Sequence, residues 1–199
     1  MLVNETASRF TLNDIDVGSR LYEALAHHAK SAQGAPIMYG DLLALGRRLY
    51  PKDAALDRAV PIGIGMKLLF VESFCKANAY PNLACLAISG ATMRPGRAYQ
   101  GDWEADRRAV ASFDWSGAHA GMITYAAEAS AAVPRRFKPR KERPADVAWY
   151  AYFCSHREAC AKVTGMDKQE IINLLMAGID PETALRRVLA AKAEFGEAS

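Results

Sequence analysis

At 199 residues and 21.7 kDa the chain is long enough to bury a core, as one domain with an appendage or as two small ones. About half of it is apolar and a quarter charged, no apolar run approaches the roughly 20 residues of a bilayer span, and Met1-Leu2-Val3-Asn4-Glu5 lacks the basic-then-apolar pattern of an export signal, so the expected location is cytoplasmic. The net charge of +3 is uneven: residues 1–132 hold 13 basic and 13 acidic side chains, whereas residues 133–199 hold 12 and 9.

Residues 1–16 alternate weakly and read as an arm or short strand. Leu21, Leu25 and Ala29 form an apolar stripe that predicts a helix over 17–30, ended by Gly34-Ala35-Pro36. Asp41 caps or lies in the first turn of a helix through Leu42, Leu45 and Leu49, and 52–58 is a short helical turn. Pro61 opens a helix whose apolar positions are Ile64, Leu68, Val71 and Cys75. Leu83 to Ile88 reads as a buried strand, and Arg94-Pro95-Gly96-Arg97 as the turn before a return strand near Tyr99. Helices follow over 103–113 and 118–132, then over 144–163 with Trp149, Tyr150, Phe153 and Cys154 supplying bulk. The last two are 168–177 and the stretch after Asp180-Pro181. No internal repeat is visible.

The stretch between them, 133–144, contains Pro134, Pro139 and Pro144 and cannot be one helix. The predicted organisation is therefore a first domain over 1–132, a basic linker over 133–144 and a helical segment over 145–199. The fold class is α/β, mostly helical. Helix, helix and hairpin in that order is the arrangement of a winged helix.

Tyr39-Gly40-Asp41-Leu42, Arg58-Ala59-Val60 and the segment from Asn78 through Cys85 resemble the DNA-docking half of the alkylguanine-DNA alkyltransferase and alkyltransferase-like families. The likeness is closer to a set of small bacterial proteins of mobile elements. These share the Tyr-Gly-x-Leu turn, a helix ending in aromatic-Cys (Phe74-Cys75), a Pro-x-Leu strand, a Pro-Gly turn and an acid-Trp pair (Asp114-Trp115). The resemblance implies a DNA-docking scaffold. It departs where alkyl transfer needs Pro-Cys-His-Arg: Cys85 stands between Ala84 and Leu86-Ala87, with no neighbouring base to draw off the thiol proton.

No catalytic residue, cofactor or metal ligand is expected. Cys154 and His156 would point about 200° apart on a helix, and the pair His156/Cys160 falls short of the four ligands of a structural zinc site. Phosphate-loop, dinucleotide, nucleophile-elbow and zincin patterns are missing from the sequence. Cys75, Cys85, Cys154 and Cys160 are too scattered for a disulfide framework.

The residues 135–143 hold six cations and one acid, a density that bound phosphates would relieve. The expected nucleic-acid contacts are Arg135, Arg136, Lys138, Arg140, Lys141 and Arg143 from this run. Arg47, Arg48, Arg58 and Lys67 add to them from the first domain, and Arg94 and Arg97 from the wing-like turn. Residues 168–190 approximate a helix-turn-helix with Gly178 at the turn and Thr183, Arg186 and Arg187 outward, or a plain helical hairpin. The expected function is non-enzymatic nucleic-acid binding, with DNA the favoured partner. The alternative is a protein-interaction module with Trp103, Trp115 and Trp149 as anchors. A Cys85-dependent repair enzyme ranks third, and a second copy of the chain is a further candidate partner.

Overall fold

The computed structural model describes residues 9–97, 99–134 and 137–195. Its longest helix, α1 (Leu12–Ala32), begins at a capping box: the Asp14 N–H donates to the Thr11 hydroxyl, and the Thr11 N–H donates to the Asp14 carboxylate at 3.0 Å. This corrects the arm or short strand expected over 1–16 for residues 12–16; residues 1–8 lie outside the described residues. The Thr-x-x-Asp spacing, not the weak alternation, decides where the helix starts.

The chain continues through β1 (Ile37–Met38), α2 (Tyr39–Leu49), α3 (Ala54–Arg58), a 3₁₀ turn (Pro61–Gly63) and α4 (Ile64–Ala77). Asp53 caps α3, its carboxylate accepting from the Ala55 and Leu56 N–H groups. A second 3₁₀ turn (Leu83–Leu86), β2 (Ala87–Ile88), α5 (Trp103–Ser112), a third 3₁₀ turn (Trp115–Gly117) and α6 (His119–Ala131) follow. Helices α7 (Glu142–Ser155), α8 (Gly165–Met176) and α9 (Pro181–Phe195) complete the chain. The architecture is mostly helical with one small sheet among the described residues.

That sheet differs from the expected hairpin. Asn82 accepts from the Ala84 N–H and winds Leu83–Leu86 into a 3₁₀ turn, leaving two residues extended. These pair in parallel with β1, Ile37 opposite Ala87 and Met38 opposite Ile88. Parallel pairing needs a long crossover, which α2 to α4 provide. The segment after β2 closes on itself, since the Ser89 N–H donates to the Arg94 carbonyl at 2.9 Å and the Met93 N–H to the Ser89 carbonyl at 2.8 Å. Tyr99 pairs with no strand; its hydroxyl donates to Asp106 on α5.

Buried apolar side chains fall into two clusters. One spans Phe10 to Ala129 and is knit by edge-on aromatic pairs such as Tyr22–Phe74 (5.2 Å) and Phe10–Phe70 (5.4 Å). The other spans Ala145 to Val188 and takes in Trp149, Ile171, Leu175 and Leu185.

Helix α7 stops at Ser155, short of the expected 163. In a continuing helix the Tyr152 carbonyl would accept from the His156 N–H. Here the His156 ring takes that carbonyl through Nδ1 (3.0 Å) and stacks on the Tyr152 ring at 4.0 Å, while the His156 N–H turns to Phe153. A Thr164/Asp167 capping box then starts α8 at Gly165, three residues before the expected 168.

Candidate nucleic-acid interface

The predicted contacts divide by what the fold does with each charge. Arg47 is spent inside: its Nε donates to the Leu56 carbonyl (3.1 Å) and its Nη2 to the Ala59 carbonyl (2.6 Å), tying α2 to the end of α3. Lys67 is fully buried and is likewise withdrawn from the list. The stripe on α4 runs Ile64, Lys67, Phe70, Val71, Phe74 and Cys75, which turns Leu68 out to line a cleft and Lys67 in.

The remaining cations are available. Arg48, Arg94, Arg97, Lys138, Arg140, Lys141 and Arg143 are exposed and Arg58 is half-buried, and among the described residues none of them forms an ion pair with a carboxylate. Arg135 and Arg136 lie outside the described residues. Arg94 is seated over the Trp103 ring at 4.8 Å, with Arg107 5.0 Å from the same ring, a cation–π arrangement that holds Arg94 without neutralising it.

The linker is tied down at two points. The Arg140 N–H donates to the Met176 carbonyl at 2.8 Å. Lys138 and Phe137 cross the α8–α9 turn so closely that a Cβ on Gly178 would lie 2.5 Å from the Lys138 nitrogen. Gly178 has φ of +93°, so both its conformation and this crossing demand glycine. Its expected place after the helix holds, and the structure adds the crossing chain, which no local pattern could show.

A cleft of about 700 Å³ is lined by residues from both basic segments, though by none of their cations. Phe137 of the linker and Pro95, Gly96 and Tyr99 of the turn segment line it together, so Arg94 and Arg97 flank one part of its lining and Lys138 another. Arg48 and Arg143 belong to separate hollows, the first with His27 and His28 and the second with Asp146 and Lys168. Arg187, expected on the outward face of α9, lines the main cleft instead, because Ala184, Leu185 and Val188 take the buried positions around it; Arg186 does face outward.

At the floor of this cleft is a buried charge cluster. The Lys67 ammonium donates to the Gly63 carbonyl (2.8 Å) and lies 3.5 Å from Asp14 and 3.6 Å from Glu170. Glu170 also accepts from the Asn173 amide (3.1 Å), which in turn reaches the Arg58 carbonyl at 3.0 Å. Burial alone would depress the Lys67 ammonium, but the two carboxylates more than reverse this and hold it charged. Burial pushes Glu170 above the ordinary carboxylate range, against the pull of Lys67. The cluster clamps α1, α4 and α8 together. A Cβ on Gly63 would overlap the Glu170 carboxylate, so the 3₁₀ turn must carry glycine there.

Cys85 is fully buried, and burial pushes its thiol up to about 12; Cys75 behaves the same way. The Trp103 indole donates to the Cys85 carbonyl at 2.8 Å, fixing the backbone rather than the sulfur. Trp115 and Trp149 are core side chains, which leaves the half-buried Trp103 of the three expected tryptophan anchors.

Compared with protein-family models, with curated proteins and with solved structures, the chain gives no match.

Sequence reasoning missed Asp14 and Glu170, whose spacing carries no motif. It could have found Asp14, since Thr11-x-x-Asp14 is a helix-start signature. Nothing in the sequence near Glu170 points to Lys67, 103 positions earlier.

Proposed function

We propose that this protein binds nucleic acid without catalysing a reaction on it. One observation supports the reading: Pro95 and Gly96 of the turn and Phe137 of the linker line one cleft, and the cations next to them in the chain, Arg94, Arg97 and Lys138, are exposed and form no ion pair among the described residues. Phosphates would relieve the mutual repulsion of such cations and release condensed counterions from the nucleic acid. In this reading Arg94, Arg97, Lys138, Arg140, Lys141 and Arg143 make the backbone contacts, and Arg135 and Arg136, neighbours in the sequence that lie outside the described residues, belong to the same expectation. Arg48 and Arg58 play a supporting part, and the loop 89–97 replaces the hairpin of a winged helix. The alkyltransferase-like motifs of residues 36–100 favour DNA over RNA.

The test is the affinity for a labelled DNA duplex, and for single-stranded RNA, across a salt series. Log affinity falls steeply with log salt. Replacing Lys138, Arg140, Lys141 and Arg143 by alanine flattens the slope by roughly 3–4, at about 0.9 per released phosphate contact. A flat slope in the parent protein overturns the reading.

A second reading is a protein-interaction module that inhibits or recruits a host factor. Val147 (62% exposed), Tyr150 (68%) and the exposed Cys154 fall on one face of α7, an apolar stripe at helical spacing. It predicts a stoichiometric protein partner lost in Tyr150→Glu and no retention of the parent on DNA.

A further inference from the structure

The cleft has a second property that the basic stretches do not use. Its walls are largely apolar, from Met66, Leu69, Leu174 and Val188, and its volume falls within the roughly 300–1,000 Å³ of small-molecule sites. Into this lining comes Arg187, a half-buried side chain whose Nη1 is shut off from solvent and has no hydrogen-bond partner among the described residues, so that an anion in the cleft meets it by a small turn of the guanidinium. A buried guanidinium nitrogen without an acceptor is costly, and the group it fits best is a carboxylate, sulfonate or phosphate.

The charges deeper in the cleft are already answered, and Glu194 is exposed at its edge. Lys67 serves both Asp14 and Glu170. Arg9 attracts the half-buried Glu72 and donates to Ser73 at 3.2 Å. Glu194 lies close enough to Tyr39 to help raise its hydroxyl, with burial the larger cause. Arg187 is left over, at an apolar wall.

We infer that the cleft binds a small amphiphilic anion, with its acid group on Arg187 and its apolar body between α4 and α9. This site shares its cleft with the nucleic-acid reading but rests on a different side chain, Arg187, which is neither on the linker nor on the turn, so either can fail without the other.

The test uses the full chain, with decanoate and 1-anilinonaphthalene-8-sulfonate as anionic probes and decanol and decylamine as controls, all below micelle-forming concentrations. Calorimetry should give saturable binding of decanoate, at least tenfold tighter than decanol or decylamine, and the naphthalene sulfonate should fluoresce and be displaced by decanoate. Arg187→Met should weaken both anions at least tenfold and leave decanol unchanged. Its unliganded melting temperature should equal or exceed that of the parent, because no protein acceptor loses a partner; a purely structural arginine would lower it. Ala191→Trp, with its fold checked by circular dichroism, should abolish binding of every probe by filling the cleft. The inference is overturned if neither anion binds, if decanol binds as well as decanoate, or if Arg187→Met retains full affinity for the anions.

Discussion

Lys67 and the linker cations carry the same kind of charge and meet opposite fates within one molecule. Lys67 has a carbonyl and two carboxylates within 3.6 Å and no exposure to speak of, whereas Lys138, Arg140, Lys141 and Arg143 face solvent without a carboxylate partner among the described residues. A fully buried cation such as Lys67 is held by partners from its own fold, because desolvation without them is costly. An exposed cation costs almost nothing to leave unpaired, so a row of them is free to serve a partner. Burial therefore separates Lys67 from the linker cations, which formal charge along the chain cannot do.

The largest effect expected from this contrast is on Lys67→Met. It strands Asp14 and Glu170 as unpaired buried carboxylates and should cost about 3–5 kcal/mol in urea unfolding. A loss below about 1 kcal/mol would mean that the cluster is not the clamp described.

Arg47→Met comes next. Two backbone carbonyls lose a charged donor, so stability should drop by about 1–3 kcal/mol while the affinity for DNA at fixed salt stays that of the parent. Weaker DNA binding by a folded Arg47→Met protein would return Arg47 to the interface.

Acid should act through Asp167. Burial by itself would raise this carboxyl, but the 2.6 Å bond from Lys192 and the bonds from Thr164 hold it below the ordinary value. Its contribution is thus complete above the unfolded carboxyl value of about 4 and fades as pH falls through the lower folded value. Asp167→Asn should lower stability at neutral pH by about 1–2 kcal/mol and make the acid limb of the stability–pH curve shallower. An unchanged limb would assign the acid sensitivity to another group.

The smallest stability effect should fall on the linker. Neutralising Lys138, Arg140, Lys141 and Arg143 together should move stability by no more than about 0.5 kcal/mol per site, even as it flattens the salt dependence of DNA binding. A large stability loss there would make these cations structural and erase the contrast.

Much of the secondary structure was legible residue by residue. Leu21, Leu25 and Ala29 are all buried on α1 as their spacing demands, Asp180 accepts from the Thr183 N–H at 2.9 Å ahead of Pro181, and Gly178 occupies the left-handed region. Local errors arose where two signals competed. Leu83 to Ile88 has the composition of a strand, but the Asn82 side chain draws its first four residues into a 3₁₀ turn. The aromatic run after Pro144 promised a longer helix until His156 took the Tyr152 carbonyl for itself.

The sequence by itself determined where most helices lie and some of their ends, such as the Asp180-Pro181 start and the Gly178 stop, since capping, proline, glycine and apolar periodicity act over a few neighbouring residues. Tertiary structure alone decided the parallel pairing of Ile37–Met38 with Ala87–Ile88, the withdrawal of Arg47 and Lys67 into the interior, and the cleft that Phe137, Pro95 and Arg187 share. The physical reason is range: whether a charge is satisfied inside or left to solvent depends on groups far along the chain, as when Asn173 reaches the carbonyl of Arg58.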